Sequence, residues 1–280
     1  MKKQRPLIAY FLLAYCFSWI IFVLLALNRH GFIFLFPDDA EHARTLDVWH
    51  AFGGLGPLLG AILTILLFQG KEGLRQYFSA YSFKKLTARG WVLALSPVII
   101  FCFALLTGRI VNGEWLSISG FFQNNNLRSP THFIAWFFPL LTYGFGEEAG
   151  WRGLALPQLQ SEYPALTATA ILGVFWLVWH VPAFFYRYHL SGGMFIGFVL
   201  GLFAGAIWMT FLFNYTRGSV LAVSLWHFTF NLVSMIGTDA VSSAVMSMLV
   251  MVLAVVVAVR YGVRDLSPYP KTILRLGKTS

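Results

Sequence analysis

Charge is what this sequence has least of. Only 11% of its 280 residues are Asp, Glu, Lys or Arg, against about 25% in a soluble domain. Hydrophobic residues reach 58% and aromatic ones 18%, too much apolar surface for a soluble fold of this length to cover. Cysteine is also scarce. Cys16 and Cys102 each sit inside an apolar run, where a lone Cys behaves as a small hydrophobe. There is no CxxC and no Cys/His spacing of the zinc kind, so neither a disulfide framework nor a zinc finger is expected. The net charge of +9 lacks the basic-and-aromatic patterning of a soluble nucleic-acid face. Nucleic acid is therefore not an expected partner, and the basic residues between apolar runs read as membrane-topology signals.

What is present is a succession of long apolar runs. A bilayer helix needs about 20 mostly apolar residues, and runs of that order cover 7–27, 48–69, 90–108, 132–156, 165–186, 192–214, 218–237 and 241–262. The fold class expected is an all-α polytopic membrane bundle of about eight helices. The first run is too long for a signal-peptide h-region of about 7–15 residues and is read as a retained span. With the N-terminus in the cytoplasm, only Arg29, Arg44, Arg109, Arg128 and Arg187 of the 20 Lys and Arg residues fall outside. Lys2, Lys3, Arg5, Lys71, Arg75, Lys84, Lys85, Arg89, Arg152 and Arg217 fall inside, as do the basic residues from Arg260 onward. That bias puts both termini in the cytoplasm. The acidic cluster Asp38, Asp39, Glu41 and Asp47 falls outside. The chain reads as one integral membrane domain, 1–280, in a prokaryotic plasma membrane. A basic, mobile cytoplasmic tail is expected over 263–280. The basic segment 70–89 is either an ordinary loop or a helix lying on the inner surface.

Gly193, Gly197, Gly201 and Gly205 recur every four residues, the spacing that lets a second helix approach closely. Gly56 and Gly60 offer the same on a smaller scale.

Inside these runs stand charged and polar residues; a charged one costs about 2.5–3.5 kcal/mol at the centre of a bilayer, and such residues are functional candidates for that reason. Glu147 and Glu148 are adjacent. Glu148 and Arg152 are i and i+4, on one helix face, and read as an ion pair. Glu147 then points elsewhere without a sequence-local cation, which suits a general base. Alternatively both glutamates pair with Arg152 and pin helices together. His180 is followed by Pro182, which loosens the helix beyond it. His227 and Asn231 are again i and i+4, and two donors on one face suit an oxyanion or an interhelical hydrogen bond. At about 1.5 Å per residue, Glu147, His180, His227 and Asn231 all come to rest about 14–22 Å from the inner end of their spans.

Glu147-Glu148-Ala149-Gly150-Trp151-Arg152 resembles the EExxxR motif of the CPBP family, which holds the type II CAAX prenyl endopeptidases and the bacteriocin-processing and immunity proteins. His227-Phe228-Thr229-Phe230-Asn231 resembles its HxxxN motif. The FxxxH motif is matched with Trp176 in the Phe position before His180. The resemblance implies an intramembrane protease, with its catalytic core over 130–236. Glu147 and His180 would activate a water, His227 and Asn231 would stabilise the oxyanion, and Glu148 with Arg152 would orient the site. The substrate would be a peptide or membrane-protein tail. The family also bears a metalloprotease label, and Glu147, His180 and His227 would be the ligands of a zinc ion. There is no HExxH, and the reading preferred here has no tightly bound zinc. The rival functions are a non-catalytic membrane immunity or interaction protein and a proton-coupled transporter. The sequence shows no paired internal repeats of the transporter kind.

Overall fold

A computed structural model describes residues 5–37, 39, 42–83, 86–188, 190–237 and 239–274. Lys2, Lys3, Asp38, Glu41, Lys84, Lys85, Arg275 and Lys278, used above in reading topology, lie outside the described residues. Those described form an all-α bundle with no strand among them. The helices in order are α1 (Arg5–Arg29), α2 (Ala43–Gly53), α3 (Gly56–Phe78), α4 (Ala88–Ala94), α5 (Ser96–Asn112), α6 (Ile118–Asn124), α7 (Pro130–Leu141), α8 (Glu148–Gly150), α9 (Leu156–Glu162), α10 (Ala165–Trp179), α11 (Gly192–Tyr215), α12 (Val220–Ile236) and α13 (Ala240–Asp265).

All eight apolar runs are wound as helix, but not all as straight spans. Among the described residues five segments are each long and apolar enough to cross a membrane: Arg5–Arg29, Ala43–Tyr81, Ala165–Phe185, Gly192–Tyr215 and Ala240–Asp265. A sixth is the pair α4 and α5, bent by 49° just ahead of Pro97, which has no backbone N–H to give to the preceding turn. The run at 132–156 is broken into α7, a π-helical stretch Thr142–Glu147, α8, a second π-helical stretch Trp151–Ala155, and then α9. The run at 218–237 becomes α12, a 17-residue helix. Large apolar side chains such as Leu12, Leu67, Ile110 and Val259 are exposed on the outside, and buried hydroxyl groups bond between helices within, as Thr169 Oγ1 does to Thr210 Oγ1 at 2.8 Å. Apolar outside with polar pairs inside is the arrangement lipid selects.

α3 breaks at Gly70, whose φ of 68° is left-handed, so the basic turn carrying Lys71 and Arg75 leaves along a new direction. The chain past Gly262 is docked as far as Leu274, where a mobile tail was expected. Asn214 and Gln160 exchange side-chain hydrogen bonds at 2.8 and 3.1 Å. Asn214 Nδ2 donates to the Asp265 carbonyl, and Gln160 Nε2 to the Thr272 carbonyl. Leu274 N donates to the Pro157 carbonyl at 3.0 Å.

The glycines divide differently from expectation. A Cβ at Gly60 would come within 2.8 Å of the Ala14 backbone nitrogen, so α1 and α3 meet there at backbone contact. By contrast, a Cβ at Gly193, Gly197 or Gly201 meets nothing within 4 Å. The spacing is that of a packing face, but this face of α11 borders open space. Gly60→Leu should therefore destabilise the bundle by about 1–3 kcal/mol or more through overpacking. Gly197→Ala, which removes only backbone freedom, should hold or raise stability by about 0.5–1 kcal/mol. Thermal unfolding of the two purified variants beside the parent checks both signs.

Candidate active site

The polar groups of the apolar runs converge where the π-helical stretches flank α8. The i, i+4 pair forms as expected: Arg152 Nη1 donates to Glu148 Oε1 at 2.8 Å, and both side chains are fully buried. The same oxygen lies 2.8 Å from His227 Nδ1 of α12. α12 comes this near because Gly144 faces it: a Cβ there would lie 2.9 Å from the backbone N and Cα of Phe228, the neighbour of His227. Glu148 is thus a hinge pin between α8 and α12, with Arg152 on its other side.

Glu147 points away from that pair. Its Oε2 accepts from Trp176 Nε1 at 2.8 Å and from Trp151 Nε1 at 3.4 Å. His180 caps the C-terminal end of α10, where the helix turns into the 3-10 stretch Val181–Phe185 that holds Pro182. Its Nδ1 lies 2.7 Å from the Trp176 carbonyl oxygen. A carbonyl only accepts, so Nδ1 carries the hydrogen in this bond and Nε2 is left for another partner. Trp176 joins the parts: its indole N–H holds Glu147, its carbonyl holds His180, and the Arg152 guanidinium lies 4.9 Å from its ring centroid, a cation–π distance.

Glu147, His180, His227 and Asn231 line one cavity of about 1060 Å³, large enough for a substantial ligand. Glu148 and Arg152 do not line it; they stand behind His227. The glycine face of α11 forms part of its wall through Gly197, Gly201 and Gly205. At one end stand His50, Tyr143, Arg187 and Tyr188. There His50 Nδ1 meets Tyr186 Oη at 2.5 Å, and Arg187 pairs with Asp47. Spacing alone does not single out this second group, because its members lie in different elements far apart in the chain. Trp151 did leave a signal. It stands four residues after Glu147, the same offset that relates Glu148 to Arg152.

The zinc set does not assemble. Among the described residues no three or more His, Cys, Asp or Glu side chains are placed to hold a metal ion. The carboxylate that would be the acidic ligand is instead met by indole N–H groups, which repel a cation: Trp176 and Trp151 both donate to Glu147 Oε2. Glu147, His180 and His227 are thus not arranged at the coordination distances of about 2.0–2.2 Å that zinc requires.

An all-α polytopic bundle with a glutamate, two histidines and an asparagine around one cavity, and a buried Glu148–Arg152 pair behind them, defines a membrane protein with an intramembrane polar centre. Residues 129–233, which contain Glu147, Glu148, Arg152, His180, His227 and Asn231, match the family described as type II CAAX prenyl endopeptidase Rce1-like. It is also 32% identical over 148 residues to the CAAX prenyl protease 2 of Methanococcus maripaludis. The matched stretch is 50% of this chain and 53% of that protein, so the chain spans about half the length of the curated relative it matches.

Replacing Trp176 by phenylalanine, the residue of the family motif, keeps a ring beneath Arg152 but removes the N–H that holds Glu147. A hydrogen bond to a charged group contributes about 1.5–3 kcal/mol. Trp176→Phe should therefore lower stability by up to about 1.5–3 kcal/mol, as read from thermal unfolding of the purified variant beside the parent.

Proposed function

We propose that the chain is an intramembrane endopeptidase that hydrolyses peptide bonds in membrane-associated segments or C-terminal tails. The observation that carries this reading is that Glu147, His180, His227 and Asn231, from three parts of the chain, face one cavity while Glu148 and Arg152 brace them from behind. The match of residues 129–233 to the Rce1-like family supports it, as does the name of the archaeal relative. The relative's source also supports a prokaryotic plasma membrane as the location.

In this reading a water binds between Glu147 and Nε2 of His180. Glu147 takes one of its protons as general base, and the oxygen attacks the scissile carbonyl carbon. The carbonyl oxygen becomes an oxyanion and is met by His227 Nε2–H and the Asn231 side-chain amide. The tetrahedral centre then collapses, the C–N bond breaks, and Glu147 returns the proton to the leaving amine. His227 donates through Nδ1 to Glu148 and through Nε2 to the oxyanion. A ring that donates from both nitrogens is an imidazolium, and the Glu148 carboxylate offsets its charge. Trp151 and Trp176 hold one oxygen of Glu147 and leave the other for the proton.

Glu147→Ala should leave a folded, membrane-inserted protein that no longer cleaves. Asn231→Ala should cut turnover by about 10²–10³-fold, the loss expected for one oxyanion donor. Mass spectrometry of the membrane-proximal peptides released by cells carrying each variant, beside the parent chain, checks both. Peptides released unchanged by Glu147→Ala cells would show that hydrolysis is not the function.

A further inference from the structure

The end of the bundle where α11 stops at Tyr215 and α13 at Asp265 is its basic face. Arg217, Arg264 and Lys271 lie on the chain that turns there, and Arg89 is brought to it by α4, which packs against α11. Arg152, which the sequence assigned to a loop, is buried between helices and takes no part. A second pocket opens on this face. It holds about 660 Å³, and Thr87, Arg89, Tyr215, Thr216, Arg217 and Tyr269 line it. It shares no lining residue with the cavity around Glu147.

The walls of this pocket are held in place. The ring of Tyr269 lies 5.6 Å from that of Tyr215, Tyr215 lies 5.5 Å from Phe211, and Phe211 is stacked on Tyr261 of α13 at 5.5 Å. The turn that carries Tyr269 is closed by its own N–H donating to Ser267 Oγ at 3.1 Å and by the Lys271 N–H donating to Asp265 Oδ1 at 2.9 Å. Arg217 leaves α11 with a φ of 53°, a left-handed conformation that residues with a side chain rarely adopt. Its guanidinium lies over the ring of Tyr269, with Cζ 4.9 Å from the centroid.

Charge in the pocket is unbalanced. Among the described residues neither Arg89 nor Arg217 is in an ion pair. Asp265, the acidic residue of the adjoining segment, is turned to the Lys271 N–H and lies 3.9 Å from Arg264 Nε. Two guanidinium groups are thus left facing one space, and their fork of N–H donors matches the oxygens of a phosphate. Tyr215 and Tyr269 add hydroxyl donors. The level of the pocket in the membrane points the same way. The span Gly192–Tyr215 and the bent pair that begins at Ala88 both end there, so the pocket lies where spans meet the interface. Lipid headgroups occupy that level, and Tyr side chains are enriched in it.

We propose that this pocket binds the phosphate of an anionic phospholipid headgroup, held between Arg89 and Arg217 at the edge of Tyr269. A bound headgroup ties α4, α11 and the segment 266–274 to one another, and so stabilises the end of the bundle that carries no part of the Glu147 centre. The proposal does not depend on the peptidase reading.

The test is a lipid titration of the purified full chain in neutral detergent. Short-chain phosphatidylglycerol, phosphatidylcholine of the same chain length and inorganic phosphate are added separately to the parent, Arg89→Gln, Arg217→Gln and Arg75→Gln. Arg75 is exposed and lies outside the pocket. Native mass spectrometry counts bound lipid, and the shift in thermal unfolding reports affinity. Phosphatidylglycerol is expected to bind the parent and raise its midpoint, whereas phosphatidylcholine and inorganic phosphate at the same concentration do not. Arg89→Gln and Arg217→Gln should each weaken binding about tenfold or more, the loss of a hydrogen bond between charged groups. Arg75→Gln should weaken it by no more than about fivefold, the loss of one basic residue near an anionic surface. Arg89→Lys and Arg217→Lys should recover part of the binding, which separates loss of charge from loss of fold. Equal losses at Arg75 and at the two pocket arginines would mean a diffuse basic surface and overturn the proposal, as would binding that both pocket variants keep. A shift with inorganic phosphate equal to that with phosphatidylglycerol would overturn the assignment to lipid.

Discussion

The buried carboxylate of Glu148 is the constraint on which the rest of the site depends. It meets Arg152 and His227 through one oxygen, at 2.8 Å each, with no exposure of its own. In an apolar bundle a charge without such partners would not be tolerated, and removing one partner from a buried pair costs about 3–5 kcal/mol. The two contacts also fix geometry. Arg152 holds the carboxylate to its own helix turn, and His227 holds α12 against that turn. Gly144 permits the approach by having no side chain, and the ring of Trp176 closes over the guanidinium. The ring of His227 is thereby aimed, and Asn231 one turn further on α12 is carried to the same cavity.

That arrangement separates two kinds of intramembrane charge. Glu148 and Arg152 compensate each other away from the cavity. Glu147 makes no ion pair with Arg152 and is held by indole N–H groups at the cavity wall. Around this centre the bundle is closed toward the basic face by the Gln160–Asn214 exchange and the Phe211–Tyr261 stack. On the other side it is open along the bare face of α11. One half of the molecule supplies rigidity and the other supplies room, which is how a chemical centre is kept ordered yet reachable.

Much of this was legible in the sequence, and the parts that were not have physical causes. Run length is enough to place membrane helices, because lipid imposes a minimum span. The Glu148–Arg152 contact follows from helix spacing alone. The π-helical stretches around α8 left no mark in composition, since a wide turn is a backbone hydrogen-bonding choice settled by tertiary packing. Trp176 reads as a conservative exchange for phenylalanine until its N–H is seen against Glu147. The glycines of α11 carry the same four-residue spacing whether the space beside them holds a helix or a cavity, so spacing could not decide between the two. Gly56 and Gly60, with only two positions to suggest it, turned out to be the real backbone contact. The docked segment 266–274 was unreadable for a similar reason: its bonds run to Pro157, Gln160 and Asn214, far away in the chain.

The claim that Glu148 and His227 act as one device is tested most directly by a double-mutant cycle. Glu148→Gln and His227→Gln keep size and hydrogen-bonding capacity while removing the charge or the imidazole ring. The quantity to measure is the rate of the peptide release that Glu147→Ala is expected to abolish, for the two single variants, the double variant and the parent, with folding checked by thermal unfolding. If Glu148 works through His227, the double variant is no slower than the slower single variant, as for residues that act as a unit. If instead the two losses multiply, the residues act independently, and the account of Glu148 as the support of His227 is contradicted.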